Sequence, residues 1–108
     1  QGCAGAQYNL GNAYLKGIEV AQDYNEAARL FRKAADQDFP NAQLSLGGMH
    51  FGGKGVVQDY NEGAQWIRKS ADQDFVDAQY TLGAMYDTGK GVSQDFNKAA
   101  QWYRKAAD

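Results

Sequence analysis

Residues 78–107 read AQYTLGAMYDTGKGVSQDFNKAAQWYRKAA, two amphipathic segments separated by a glycine-rich loop. The first segment has apolar or small side chains at the i, i+4, i+8 spacing that shares one face of an α-helix: Ala78, Leu82 and Tyr86. Gly89 interrupts the pattern, because glycine permits the positive φ of a tight turn. The second segment begins at Asp95, a favourable helix N-cap. The sequence here predicts a helix-loop-helix unit.

This unit occurs three times, 36 residues apart, without insertion or deletion. A Leu-Gly pair marks the first segment of each copy: Leu10-Gly11, Leu46-Gly47 and Leu82-Gly83. A short repeat at fixed spacing is typical of solenoids, because each unit covers the apolar face of its neighbour. We therefore expect an all-α fold, an α-solenoid with six helices of about 10–14 residues and no strand. Residues 1–108 then form a single domain of three 36-residue repeats: 1–36, 37–72 and 73–108.

Capping residues predict where the helices begin. In the middle repeat the first helix is predicted over 41–52, with Asn41 as N-cap and Asp77 in the same role one repeat later. The second helix is predicted from Asp59, whose carboxylate accepts from the first-turn amides. Glu62, three residues on, completes a capping-box pattern. The second helices are thus expected to have the better-defined start.

Glycines predict two further features. The loop of the first repeat has Glu19 where the others have Gly55 and Gly91, which indicates a mildly strained turn. A glycine also lies inside each first helix, where it costs about 1 kcal/mol relative to alanine. We expect close contact with a neighbouring helix to compensate for this cost at three positions: Gly11, Gly47 and Gly83.

Composition disfavours several functions. The net charge is -2, and Lys and Arg are dispersed, so no basic field for nucleic acid is expected. One Cys and one His cannot build a metal site between them, and no cofactor motif is present. No signal pattern or membrane-spanning run occurs, so we expect a soluble protein without direct membrane insertion, in a compartment that the sequence does not indicate.

Residues that suggest chemistry have simpler structural interpretations. Asp23, Asp59 and Asp95 are better explained as helix caps than as acid-base groups, since they recur in every repeat. His50 takes the place of a tyrosine and is interpreted as a packed side chain, and Cys3 as a small apolar filler. Trp66 and Trp102 are expected to pack between helices. The Arg-Lys pairs are expected on solvated faces near the helix C-termini: 32-33, 68-69 and 104-105.

The repeat resembles the signature of the Sel-one-like repeat (SLR) family, relatives of the tetratricopeptide repeat, over the whole chain. The resemblance rests on the string Ala78-Gln79-x-x-Leu82-Gly83-x-x-Tyr86-x-x-Gly89-x-Gly91-Val92 and its continuation through Asp95, Ala99, Trp102 and Lys105. It implies a right-handed α-superhelix that serves as a non-enzymatic protein-interaction adaptor. The departures from the signature are local: Leu30 for Trp, His50 for Tyr, Gly63 for Ala and Glu19 for Gly.

Candidate binding residues are those that differ between copies on the outer side of the first helices. Positions separated by four and three residues share a face distinct from the Ala6, Leu10, Tyr14 stripe. By resemblance to tetratricopeptide arrays, this face lines a concave groove for a segment of a partner protein. The alternative is neutral variation on a solvated face. The predicted groove residues are Tyr8, Asn12, Leu15, Lys16, Leu44, Phe51, Tyr80, Ala84 and Asp87.

Two other functions stay open at this point. Cysteine-rich relatives are linked to penicillin-like ligands, which implies β-lactam binding or β-lactamase-like activity, although those relatives use disulfides and this chain has one Cys. A purely structural spacer is the other. The chain begins inside a linker and stops at the end of a second helix, which predicts a fragment of a longer array. Weak end-to-end self-association is also expected.

Overall fold

The computed structural model describes residues 2–108 and consists of alternating helices and loops, with no strand in that range. First helices have 13 residues and second helices 12, as the repeat predicts. The order is α1 (Ala4–Lys16), α2 (Tyr24–Ala35), α3 (Pro40–Gly52), α4 (Tyr60–Ala71), α5 (Val76–Thr88) and α6 (Phe96–Ala107). The all-α solenoid expectation is confirmed.

The first helices begin earlier than predicted. Phe39 and Phe75 are the N-caps of α3 and α5, and neither side chain makes a capping hydrogen bond. Asn41 and Asp77, predicted as caps, lie inside the first turn. Pro40 explains the difference in α3, since its fixed φ and missing N–H suit the first helical position. Each first helix ends at a left-handed glycine: Gly17, Gly53 and Gly89, with φ of 71°, 65° and 76°.

The second helices begin as predicted. Asp59 Oδ1 accepts from the backbone N–H of Glu62 at 3.1 Å, and Asp23 and Asp95 make the equivalent bond in their repeats. The reciprocal bond of a capping box is not made. The backbone N–H of Asp59 donates to the carbonyl of His50 instead, and the Glu62 carboxylate accepts from Trp66. The Glu62 side chain is therefore bonded to Trp66 and takes no part in capping the helix.

The glycine predictions are confirmed by geometry. A Cβ at Gly11 would lie 2.8 Å from the ring of Phe31, and one at Gly83 would lie 2.7 Å from that of Tyr103. Gly47 approaches Ile67 equally closely, so each first helix contacts its own second helix where only glycine fits. In the loops, Glu19 has a φ of 65°, the left-handed region that costs a residue with a side chain roughly 1–2 kcal/mol.

Consecutive repeats are joined by apolar packing and by buried glutamines. Gln43 Nε2 donates to the carbonyl of Ala35 at 3.3 Å, and Gln79 Nε2 donates to that of Ala71 at 3.4 Å. These carbonyls have no partner within their own helix, and each also accepts from the linker backbone: Ala35 from Asp38 and Ala71 from Asp74. Each first helix therefore adds a second bond at the end of the repeat before it.

Candidate functional site

The structure places the nine predicted groove residues on the three first helices, where they are exposed to different degrees. Lys16, Tyr80 and Asp87 are exposed. The remaining six are half-buried: Tyr8, Asn12, Leu15, Leu44, Phe51 and Ala84. Four of these six are apolar side chains at the margins of the two core clusters: Tyr8, Leu15, Leu44 and Phe51. Part of the predicted surface is therefore engaged in packing.

Tyr8, Leu44 and Tyr80 are at equivalent positions and form the first row of this surface, which packs mainly on the second helix of the same repeat. The ring centroid of Tyr8 lies 5.8 Å from that of Phe31 in α2 and 5.6 Å from that of Phe39 at the N-cap of α3. The ring centroid of Tyr80 lies 5.5 Å from that of Tyr103 in α6. Leu44 packs at the margin of the cluster that contains Ile67. The two tyrosines of this row thus pair with aromatic residues, and Leu44 follows in the repeat whose second helix has Ile67 at the equivalent position. The differences between copies at this row accompany differences in the packing partner.

Phe51 explains one departure from the family pattern. Its ring lies 5.1 Å from Tyr60, and its Cδ1 would be 2.5 Å from a Cβ placed on Gly63. The equivalent pairs in the other repeats have a smaller first-helix side chain with an alanine: Leu15 with Ala27, and Asp87 with Ala99. Glycine at position 63 therefore makes room for the larger ring of Phe51.

The middle row contains Asn12, Gly48 and Ala84, of which Gly48 was not among the predicted residues. A Cβ on Gly48 would meet no atom within 4 Å, unlike the neighbouring Gly47. The surface above α3 is therefore open, and no close helix contact explains this glycine. Its sequence signal was the second glycine of the Gly47-Gly48 pair, which the repeat pattern does not require.

A cleft opens beside Tyr80 at the α5–α6 end of the stack, with a volume of about 650 Å³. Burial raises the pKa of Tyr103, and the nearby Asp87 and Tyr80 raise it further, so an acidic group lies beside the aromatic pair. Tyr80 is 62% exposed in this cleft. We call this opening the Tyr80 cleft. Its lining residues are Val76, Asp77, Tyr80, Thr81, Tyr103, Ala106 and Ala107.

The potentially reactive residues are placed apart from this surface. The Asp caps are occupied by backbone amides, as described above. His50 Nδ1 lies 3.3 Å from the carbonyl of Val57, and its Nε2 is buried without a partner. Cys3 is an exposed free thiol at the N-cap of α1, and its predicted role as a small apolar filler between repeats stays a prediction. Within residues 2–108, no group of three or more His, Cys, Asp or Glu side chains is arranged for a metal ion.

The tryptophans and basic pairs of the second helices form a separate surface. Trp66 is 7% exposed, in agreement with its predicted packing role. The predicted solvated face is only part of the role of the Arg-Lys pairs. Arg32 and Lys69 lie 5.5 and 4.8 Å from the Trp66 ring centroid, and Arg68 bridges to Asp72 at 3.4 Å. The basic side chains therefore also cover the aromatic rings.

Three stacked helix-loop-helix units with buried junctions define an α-solenoid repeat protein. The Sel1 repeat family matches residues 4–39, 40–75 and 76–108, and the chain belongs to this family. These boundaries have the predicted period and begin three residues later than the predicted ones, at the start of each first helix. Sel1-repeat proteins are generally protein-interaction scaffolds, and the fold is typically non-enzymatic.

Two solved structures share 40% sequence identity with the chain. One is a Sel1 repeat protein from Oxalobacter formigenes, with a TM-score of 0.94 over 97% of this chain and 43% of that one. The other is a protective antigen of uropathogenic Escherichia coli strains that displays an SLR fold, with a TM-score of 0.93 over 96% of this chain and 22% of that one. The chain therefore spans less than half the length of either relative.

A third solved structure shares the fold at lower sequence identity. Helicobacter pylori cysteine rich protein B is 23% identical, with a TM-score of 0.80 over 96% of this chain and 80% of that one. No curated protein sequence matches the chain. Among the described residues, no helix is both long enough and apolar enough to cross a bilayer.

Proposed function

We propose that this chain is a non-enzymatic adaptor that holds a segment of another protein along its first helices, in the predicted concave groove. The open surface above Gly48 carries the proposal, because α3 has a repeat on either side and a Cβ at Gly48 would still meet no atom within 4 Å. Tyr80 and Ala84 are four residues apart on α5, and Ala84 is the equivalent of Gly48. Aromatic residues beside such a surface are frequent anchors of protein interfaces.

The Tyr80 cleft is equivalent to a junction between repeats. In repeat 1, the position beside Tyr8 and Phe31 is occupied by the ring of Phe39, which caps the first helix of the next repeat and lies 5.6 Å from Tyr8. The cleft therefore corresponds to a surface on which one repeat packs against another.

Charge supplies the orientation in this proposal. Lys16 is exposed at the end of α1 and Asp87 at the end of α5, in the first and last repeats. A bound segment with a basic residue near Asp87 and an acidic residue near Lys16 would have its chain direction along the groove fixed by these two charges. Such rim charges contribute to orientation and association rate more than to affinity.

The test is a selection of binding peptides from a random library displayed on phage, against the immobilised chain. Tyr80→Ala should weaken a selected peptide by at least about tenfold, the effect of one interface hot spot. Ala84→Arg, which fills the middle row, should also weaken it, with circular dichroism unchanged in both variants.

Gln65→Arg is the matched control, because it adds the same side chain at an exposed position of α4. It should leave peptide affinity unchanged. If Gln65→Arg abolishes binding while Ala84→Arg does not, the second helices form the binding surface and the proposal is wrong. Leu44→Ala separates packing from recognition. If Leu44 is a groove residue, its removal should lower peptide affinity without unfolding the chain.

A further inference from the structure

We propose that a second site, between α5 and α6, binds a carboxylate side chain from an acidic peptide segment. The site is a cavity of about 470 Å³. Its walls include the rings of Tyr86 and Trp102, and its charged lining is mainly basic: Arg68, Lys98, Arg104 and Lys105, against the single acidic residue Asp108. We call it the Trp102 cavity. It lies on the second-helix side, apart from the proposed groove.

Repeat 2 contains the same arrangement with an anion of its own. Trp66 Nε1 donates to Glu62 Oε2 at 3.2 Å, across one turn of α4. The ring of Trp66 is also flanked by two cations, Arg32 of the preceding repeat and Lys69 of the same helix. The Glu62 carboxylate therefore satisfies the indole N–H close to both positive charges.

Repeat 3 keeps the ring and the cations and changes the anion. Arg68 lies 5.4 Å and Lys105 5.2 Å from the Trp102 ring centroid, which reproduces the two contacts at Trp66. The residue equivalent to Glu62 is Lys98, and its Nζ lies 5.6 Å from the ring of Tyr86. Trp102 is also less buried than Trp66. A carboxylate is thus the group that repeat 2 supplies internally and that repeat 3 replaces with a third cation.

The chemistry of the lining favours a glutamate or aspartate side chain from outside. Its carboxylate would accept charge-assisted hydrogen bonds from Lys, Arg and the indole N–H. Its methylene groups would pack on Tyr86 and Trp102. The positive cluster occurs in a chain of net charge -2, so it is a local feature rather than a general attraction for anions. Because the site is open to solvent, salt should weaken the interaction.

The experiment follows the two indole N–H signals of the whole chain in a heteronuclear NMR correlation spectrum, each assigned by a Trp→Phe variant. The probe is a capped hexaglutamate peptide, and capped hexaglutamine is the uncharged control. Hexaglutamate should shift the Trp102 signal in a saturable way and leave that of Trp66 in place, because Glu62 already occupies that indole. Raising salt from about 50 to about 300 mM should weaken binding severalfold.

Reciprocal substitutions make the test specific. Lys98→Glu should reproduce the Glu62–Trp66 bond at Trp102 and weaken hexaglutamate binding at least about tenfold, as expected when an internal carboxylate competes and a charge-assisted donor is lost. Glu62→Lys should make Trp66 respond to the peptide as well. These two results together would support the proposal, since a purely structural role for Lys98 predicts neither.

Three results would overturn the proposal. The first is an unchanged titration of the Trp102 signal in Lys98→Glu. The second is a response to inorganic phosphate or a short oligouridylate at concentrations where hexaglutamate has no effect, which would make this a phosphate site. The third is loss of hexaglutamate binding in Ala84→Arg but not in Lys98→Glu. That result would place the acidic segment in the groove and leave the proposed adaptor function intact.

Discussion

Leu10 and Leu46 occupy equivalent positions in consecutive repeats, yet Leu10 is 45% exposed and Leu46 is 1% exposed. The same holds for the alanine one turn earlier, since Ala6 is exposed and Ala42 is fully buried. The local sequence is the same in both copies. The difference arises because α3 packs on the second helix of the preceding repeat, whereas α1 has no such neighbour in the described chain.

The comparison teaches that burial in this fold belongs to the junction between repeats rather than to the repeat itself. In a solenoid, stability is approximately the sum of repeat terms and nearest-neighbour interface terms. A substitution at one position should therefore have different effects in different copies. Three predictions test this, from the largest expected effect to the smallest.

The largest effect is expected for Leu46→Ala. Removing a fully buried leucine at a junction should lower the free energy of unfolding by about 2–5 kcal/mol. Leu10→Ala should cost about 1 kcal/mol or less, because half of that side chain is already in water. Chemical denaturation of both variants, followed by circular dichroism, measures the two values. Equal costs would contradict the junction account.

The next effect compares α3–α4 with α1–α2. Gly63→Ala should lower stability by about 1–3 kcal/mol through overpacking, even though alanine is the better helix former and occupies the equivalent positions 27 and 99. The new methyl group would meet both the Phe51 ring and the carbonyl oxygen of Gly47.

Phe51→Leu should rescue Gly63→Ala only in part, because the clash with the Gly47 carbonyl remains. A double-mutant cycle by denaturant unfolding should give a coupling of about 1 kcal/mol between positions 51 and 63. If Gly63→Ala raises the stability of the chain, the proposed accommodation of Phe51 by Gly63 is wrong.

The smallest effect is expected at the two ends of the stack. The Leu10 face of one copy is equivalent to the α3 and α5 faces that cover a preceding repeat, so it should pack weakly on the α6 end of another copy. The residue that would enter the Tyr80 cleft in this way is Cys3, where the internal junctions have Phe39 and Phe75. A thiol fills less of the cleft than a phenyl ring, so we expect a Kd of about 0.1–1 mM.

Sedimentation at increasing concentration measures this association. Leu10→Asp should abolish it while leaving the helical content unchanged. Association that is unaffected by Leu10→Asp would show that a different surface is involved. Hydrogen exchange gives a second reading of the same comparison, since the middle repeat should be the most protected of the three.

Much of the fold was predictable because the signals are local and occur three times. Asp59 and its equivalents supply an N-cap at fixed spacing, and Gly53 and its equivalents supply the left-handed end of each first helix. The starts of the first helices were less predictable. Phe39 and Phe75 cap them without a side-chain hydrogen bond, so the usual polar signal is absent there and capping preferences predict the nearby Asn41 instead.

The candidate site was only partly predictable. Helical spacing placed Tyr8, Leu44 and Tyr80 on one side of the first helices, but it does not reveal what each side chain packs against. The structure shows that Tyr8 contacts two phenylalanine rings, while Tyr80 contacts one ring and a cleft. The Trp102 cavity was not predicted, because its basic side chains come from two repeats and helical spacing relates residues only within one helix.

The sequence by itself determined the period, the six helices and their order, because caps, glycines and amphipathic spacing act within a few residues. Only the tertiary structure decided which copy of a repeated residue is buried, which glycine is a close contact, and which variable residue is available to a partner. Gly47 and Gly48 are adjacent and chemically identical, yet one meets Ile67 and the other meets open space. That distinction depends on where the next helix lies, and packing between helices, rather than any local preference, determines it.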